Sequence, residues 1–192
     1  MEPYRDNPSE DGSARSDIIM TCKAHSMCPG FLLSEDVDHI QSIATLLFSV
    51  PNVIDLGAGY GTTALSVFAV RPEACITSVD ISASQLAGAE GYIGNDYCWH
   101  PMEGDSVAVA EKLPDAYFDL MLLDTTHTED DTTRELQTWL PKLIPQAYIW
   151  CHDYVDYPGT NYPGVMNALA KFEDQLEMIS MMGLGWAGRK RQ

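Results

Sequence analysis

Apolar positions along the chain change their period several times, and those changes mark out the elements. From Ser34, an N-cap residue followed by the acids Glu35 and Asp36, the side chains Val37, Ile40, Ile43, Ala44 and Leu47 recur at helical spacing until Pro51. That predicts an amphipathic lead-in helix. The pattern then alternates: a short apolar strand at Asn52–Leu56, a helix over Thr62–Val70, a strand at Ala74–Val79 and a helix over Ser82–Tyr92. A weaker strand, against which Pro101 argues, is expected at Tyr97–Met102, with a short helix after Asp105 and a strongly apolar strand at Phe118–Leu123. Thr128 and Asp131 form a capping-box pair for a helix carrying Leu136, Trp139 and Leu140, which Pro141 stops. A strand at Ala147–Cys151 follows, and after the loop from His152 to Tyr162, Pro163 opens a helix bearing Val165, Ala168, Leu169 and Phe172. Two last segments, Leu176–Met181 and Leu184–Ala187, are separated only by Met182-Gly183 and read as a hairpin. Strands alternating with helices predict an α/β fold with a doubly wound parallel sheet, ended by an antiparallel pair, whose ligand sits outside the carboxyl ends of the strands.

Length and charge narrow this picture. A chain of 192 residues is one domain's worth, and 28 acidic against 11 basic side chains leave a formal net charge of −17. Such a surplus repels phosphate backbones and anionic lipid, so neither nucleic acid nor a membrane is expected as partner. The one basic run, Arg189-Lys190-Arg191, reads as a solvated tail. No apolar run reaches the roughly 18 residues of a membrane span, and the polar, acidic first twenty residues lack the character of a secretion signal. The five cysteines are odd in number and scattered in a chain large enough to need no staples, which suits a reducing compartment and a cytoplasmic location. Cys22, His25 and Cys28 offer three ligands with no fourth nearby, so a lid or unreactive loop is expected there in place of zinc.

The richest segment is Val53-Ile54-Asp55-Leu56-Gly57-Ala58-Gly59-Tyr60-Gly61-Thr62-Thr63, a strand running through glycines straight into a helix. Glycines there permit positive φ and let a ligand approach the backbone. A dinucleotide fingerprint counted from Gly57 needs a glycine at position 62, where this chain has Thr62; Gly61 falls one place early. Asp55, read as pointing into the mouth of the loop, would repel a pyrophosphate and suit an ammonium group, and the acidic chain favours a cationic sulfonium nucleoside over a dianionic dinucleotide.

An acid followed by Gly-x-Gly-x-Gly resembles the first motif of the class I S-adenosylmethionine-dependent methyltransferases, and the likeness runs from about Val50 to Arg189. It implies a Rossmann-like seven-stranded sheet and a single methyltransferase domain over 34–192, while residues 1–33, the first twenty of which hold Pro3, Pro8, Gly12 and several charges without apolar periodicity, are expected to form a flexible N-terminal arm and lid. It also implies that Asp55, Gly57, Gly59 and Gly61 hold the methionine end of S-adenosylmethionine. Asp80, beside Ile81 at the end of the second strand, would accept the ribose hydroxyls, or act only as a helix N-terminal acid. Asp105 with Ser106 is similar to the third-strand motif that contacts the adenine amine, a role compatible with an N-cap.

Two further strand ends, Asp124-Thr125-Thr126-His127 and His152-Asp153-Tyr154, are predicted to face the same cleft, Asp124 also bordering the cofactor. They are similar to strand ends of the small-molecule branch that includes catechol and macrolide-sugar O-methyltransferases. The metal-dependent members of that branch bind magnesium there, which implies Asp124, His152 and Asp153 as ligands, although imidazole is an unusual partner for that ion. The other reading makes His127 or His152 a general base next to Asp124. A third leaves His127 as a helix cap and His152 satisfying a loop carbonyl. Tyr154, Tyr157 and Tyr162 would stack on an acceptor or order their own loop. At Ile144-Pro145-Gln146-Ala147 the family usually has Pro-Gly-Gly, so local distortion is expected at Gln146.

These readings converge on methyl transfer to a small-molecule acceptor, as an O-methyltransferase acting as a monomer or homodimer. The alternatives are a non-catalytic S-adenosylmethionine-binding module, an NAD-dependent oxidoreductase, and a hydroxylase-like relative acting on secondary metabolites.

Overall fold

The structure, a computed structural model, describes residues 32–155 and 163–192. Its strands are β1 (Asn52–Leu56), β2 (Cys75–Asp80), β3 (Cys98–Glu103), β4 (Phe118–Leu123), β5 (Leu143–Cys151), β6 (Leu176–Met182) and β7 (Gly185–Lys190). They form one seven-stranded sheet in the order β3-β2-β1-β4-β5-β7-β6. The first five are mutually parallel, while β7 runs antiparallel to both β5 and β6. The helices are α1 (Ser34–Ala44), α2 (Thr62–Phe68), α3 (Ala83–Ile93), α4 (Ser106–Ala110), α5 (Glu129–Trp139) and α6 (Gly164–Ala170). This is the doubly wound sheet with an antiparallel C-terminal pair that the alternation predicts.

Side chains alternate across the central strands, so each strand feeds two cores. Ile54, Leu56, Met121, Leu123 and Ile149 pack on one face with Leu136 and Trp139 of α5 and Val165 and Leu169 of α6. Val53, Leu120, Leu122 and Trp150 pack on the other with Ile40 of α1, Phe68 of α2 and Ile93 of α3. The strand order reverses between β1 and β4, the switch point at which such sheets open a ligand crevice.

Several local expectations change. β3 lies at the sheet edge, where Pro101 removes no ladder bond from a central position. β5 begins at Leu143, four residues earlier than its apolar run indicates, because the distortion falls inside the strand: Gln146 has φ +69°, and the register moves from Phe118 opposite Leu143 to Leu120 opposite Tyr148. The hairpin turn is Gly183-Leu184, with Gly183 at φ +60°. The basic run is not a solvated tail. β7 lies between β5 and β6, so Arg189 and Lys190 are strand residues. The Lys190 ammonium donates to the carbonyls of Leu140 and Leu143, both at 2.8 Å.

Cysteine usage also departs from expectation. Cys75 and Cys98 sit directly opposite each other on β2 and β3, their Cα atoms 4.6 Å apart, and are disulfide-bonded. The sequence separation of 23 residues hides a pairing that only sheet register creates. Cys151 is a buried free thiol. Cys22, His25 and Cys28 lie outside the described residues, as do Tyr157, Tyr162 and all but the last two residues of the arm. Among the described residues no helix is long and apolar enough to cross a membrane.

Candidate active site

A cavity of about 420 Å³ opens at the carboxyl tips of β1, β2, β3 and β4, within the size range of small-molecule sites. Its floor is the glycine loop between β1 and α2. Gly57 N and Ala58 N both donate to Val79 O, at 2.9 and 3.1 Å, and Gly61 N donates to Ala58 O at 2.8 Å. These bonds fold the loop back onto β2. Gly57, Gly59 and Gly61 have φ of +79°, +51° and +82°. At Gly57 the requirement is doubled, since a Cβ there would lie 1.9 Å from the backbone oxygen of Asp124. The glycine therefore lets β1 and β4 end side by side with the cavity above them.

Asp55 does not open into the mouth of the loop. It is wholly buried beneath it, accepting from Thr63 Oγ1 at 2.7 Å and Ser78 Oγ at 2.8 Å. Ser78 Oγ in turn accepts from the Trp99 indole at 2.9 Å. Burial raises the Asp55 carboxyl to about 7, against the two hydroxyl bonds that lower it. Its task is to tie α2 to β2 under the loop, and the ammonium-facing role read from the sequence is withdrawn.

Asp80, at the tip of β2, lines the cavity and is 9% exposed. Its Oδ2 accepts from Gly59 N and its Oδ1 from Ser82 N, both at 2.8 Å. Each oxygen keeps a lone pair for a ligand hydroxyl. Beside it Ile81 is 77% exposed and presents an apolar edge to the cavity. Asp105 lines the next stretch and also caps α4, accepting from Ala108 N at 3.0 Å. Ser106 donates to Glu135 Oε1 and Thr125 donates to Glu135 Oε2, so a buried acid of α5 clips together two walls of the cavity. Burial raises the Glu135 carboxyl above its ordinary value.

The tips of β4 and β5 bring the four polar residues together as expected. The ladder continues one step beyond each strand, with Asp124 N donating to Leu56 O at 2.9 Å and His152 N to Leu123 O at 3.0 Å. His127 Nε2 lies 2.9 Å from Asp124 Oδ1 and its Nδ1 2.9 Å from Asp153 Oδ2. His152 Nδ1 lies 3.2 Å from Asp124 Oδ1 and 3.5 Å from Asp153 Oδ2. One ligand atom from each of Asp124, His127, His152 and Asp153 falls within 4.8 Å of the others. Asp124, His127 and Thr126 line the cavity, so the cluster borders it directly.

The carboxylates around the two histidines change their basicity. Burial alone would lower both imidazoles, but hydrogen bonds and charge from Asp124 and Asp153 outweigh it, raising His127 to about 9 and, with Asp36 added, His152 to about 12. The same pairs hold the Asp124 carboxyl down at about 2 and Asp153 below its ordinary range, although burial opposes both shifts. His127 is not the helix cap; Thr128 takes that place, accepting from Asp131 N at 3.1 Å.

Two residues of the site escape sequence reasoning. Asp36 of α1 is fully buried, accepts from Leu33 N and Leu184 N at 2.8 Å each, and lies 3.4 Å from His152 Nε2. Nothing local distinguishes it from an ordinary first-turn acid. Glu135 did leave a trace, an acid on the same buried stripe of α5 as Thr132, Leu136 and Trp139. Tyr154 is tilted against Trp186 with ring centroids 6.4 Å apart.

A seven-stranded sheet of this order, with a glycine loop and an acid at the tips of its first two strands, defines a class I methyltransferase fold. The sequence family described as a methyltransferase domain matches residues 54–154, and the chain belongs to it. No curated protein matches the chain. Among solved structures, the O-methyltransferase of Bacillus cereus in complex with S-adenosylhomocysteine superposes with a TM-score of 0.73 at 14% identity, covering 94% of this chain and 91% of its own. A methyltransferase from Geobacter sulfurreducens gives 0.69 at 14% identity, covering 97% and 93%. A protein of Methanosarcina mazei described among the S-adenosylmethionine-dependent methyltransferases gives 0.59 at 13% identity, covering 78% and 97%. At such identities the likeness establishes the fold.

Proposed function

We propose that the protein transfers a methyl group from S-adenosylmethionine to a hydroxyl oxygen of a small-molecule acceptor, with a divalent cation at the tips of β4 and β5. The observation that carries the reading is the shared cavity: the glycine loop and Asp80 lie on the same wall as Asp124 and His127. The residues fit the cofactor. Gly57 lets the glycine loop pass directly against the backbone of Asp124 at the cavity's edge, and Asp80 combines near-complete burial with free acceptor capacity. S-adenosylmethionine, when bound, supplies a methyl group on a cationic sulfur that is already reactive toward oxygen.

The chain's part is to bind, align and exclude water. Asp80 accepts the ribose hydroxyls, Ile81 covers the nucleoside's apolar edge, and Asp105 and Ser106 face the adenine. Gly57, Gly59 and Gly61 bring backbone against the methionine end. Leu32, 5% exposed, adds an apolar side chain to the cavity lining. The donor chemistry of Asp124, His152 and Asp153 suits a divalent cation, which would supply Lewis acidity to lower the pKa of an acceptor hydroxyl. The bound S-adenosylhomocysteine of the Bacillus cereus protein supports the cofactor assignment, and its O-methyltransferase activity supports an oxygen acceptor.

The test is calorimetry with S-adenosylhomocysteine and with NAD, followed by a screen of phenolic, sugar and carboxylate acceptors with divalent ions present. Binding of the first and not the second is expected, with turnover on hydroxyl acceptors. Binding of NAD alone would overturn the proposal.

A further inference from the structure

We infer that the strand-tip cluster is a four-ligand site that prefers a first-row transition ion, of the manganese, iron, cobalt or zinc class, over magnesium, and that Asp36 is its positioning residue. This deepens the proposed function and rests on the cation site described there. Two of the four side chains, His127 and His152, offer nitrogen, and the other two, Asp124 and Asp153, offer carboxylate oxygen. Magnesium takes oxygen ligands and keeps several waters, whereas imidazole strengthens the hold on later transition ions. A half-nitrogen set therefore discriminates against magnesium by its chemistry.

The geometry agrees. Adjacent ligands around an ion at about 2.1 Å stand roughly 3 to 3.5 Å apart. The approaches of Asp124 Oδ1 to His127 Nε2, of Asp124 Oδ1 to His152 Nδ1 and of Asp153 Oδ2 to His152 Nδ1 are 2.9, 3.2 and 3.5 Å, the whole set lies within 4.8 Å, and Asp153 meets His127 at its other ring nitrogen, Nδ1, at 2.9 Å. His127 and Asp153 are moreover non-glycine residues at φ +59° and +52°, the left-handed region that such residues seldom adopt.

Asp36 supplies the independent observation. Metal-ligating histidines commonly give their second ring nitrogen to a carboxylate, which fixes the ring and leaves the other nitrogen for the ion. His152 has that arrangement, with Nε2 3.4 Å from Asp36 Oδ2 and Nδ1 turned to Asp124 and Asp153. Asp36 is itself immobilised by the amides of Leu33 and Leu184, so it lies behind the cluster and outside the cavity lining.

The test uses the full chain, stripped with a chelator and titrated with manganese while the electron paramagnetic resonance signal of the free ion is followed. Magnesium is then added as competitor. One equivalent of manganese is expected to bind, with magnesium at least about tenfold weaker. His127→Asn and Asp36→Asn should each weaken manganese binding by about tenfold or more, within the range seen when ligands or their supporting carboxylates are lost. The Asp36 variant should keep its affinity for S-adenosylhomocysteine, as a merely unfolded protein would not. Should Asp36→Asn fail to fold, the partly exposed His127 site carries the comparison. Absence of stoichiometric binding, equal affinity for the two ions, or a His127→Asn protein with undiminished affinity overturns the inference. Calorimetry on the same samples separates the two claims: cofactor bound without manganese sinks the ion site alone, and manganese bound without cofactor sinks the methyl-transfer reading alone.

Discussion

Replacing Gly57 by alanine puts a methyl group where the fold has no room for one. A Cβ at Gly57 would lie 1.9 Å from the carbonyl oxygen of Asp124 and 2.6 Å from its carbonyl carbon, both backbone atoms, in a residue at φ +79°. Real Cβ contacts are essentially never below 3.0 Å, so the tip of β4 must retreat. The needed movement is about 1 Å in an interior packed too tightly to absorb it. The left-handed backbone costs an L-residue roughly 1–2 kcal/mol. Strain on the bond from Asp124 N to Leu56 O, 2.9 Å in the native chain, removes stabilisation of about 1 kcal/mol. Gly57→Ala should therefore lose roughly 3 kcal/mol of stability and, by displacing Asp124, weaken S-adenosylhomocysteine binding. Gly59→Ala is the control, because φ there is +51° but a Cβ meets nothing within 4 Å. It should lose only the conformational part, about 1 kcal/mol. Urea denaturation followed by tryptophan fluorescence, with calorimetry of the bound nucleoside, measures both. Equal destabilisation of the two variants, with native affinity at Gly57→Ala, would refute the claim that this glycine exists to let β1 and β4 end side by side.

Three other outcomes are expected. Asp55 has its carboxyl raised to about 7 from an ordinary 3.8. Below pH 4 it is protonated in both states and costs nothing, whereas between about 4 and 7 the unfolded chain alone ionises and stability falls with rising pH, by on the order of 1.4 kcal/mol per unit. Asp55→Asn should remove that slope from denaturation curves across the window, and an unchanged slope would show that Asp55 ionises freely. The Cys75–Cys98 link closes a separation of 23 residues. Cys98→Ala should therefore cost about 3 kcal/mol under oxidising conditions and little in excess dithiothreitol, an interpretation that equal midpoints with and without reductant would contradict. Asp80→Ala should weaken S-adenosylhomocysteine binding at least about tenfold by removing charge-assisted bonds worth roughly 1.5–3 kcal/mol, and unaltered calorimetric affinity would dismiss its ribose role.

The sequence made the sheet legible because the period of its apolar residues changes sharply at each element, and because the glycines after Leu56 fall between a strand and a helix. The strand-tip residues Asp80, Asp105, Asp124, His127, His152 and Asp153 were found by position for the same reason. What escaped depends on register and on contacts across long sequence distances. Asp55 looked like a cavity residue because its place in the motif says nothing of Thr63 and Ser78, whose hydroxyls enclose it. Arg189 and Lys190 looked like a tail because a strand inserted between two others is not visible in its own charges. The raised basicity of His127 and His152 was equally hidden, because it depends on Asp124 and Asp153 and, for His152, on Asp36 from the first helix.

Asp36 joins positions that the ribosome makes far apart in time. Its carboxylate receives Leu184 N across a separation of 148 residues and reaches His152 across 116. The cavity lining along the glycine loop, Asp80 and Asp105 comes from the chain up to Ser106, whereas Asp36, which backs His152, is seated by an amide of the final hairpin. A nascent chain halted before Gly183 would carry the glycine loop and Asp80 but lack the amide that seats Asp36.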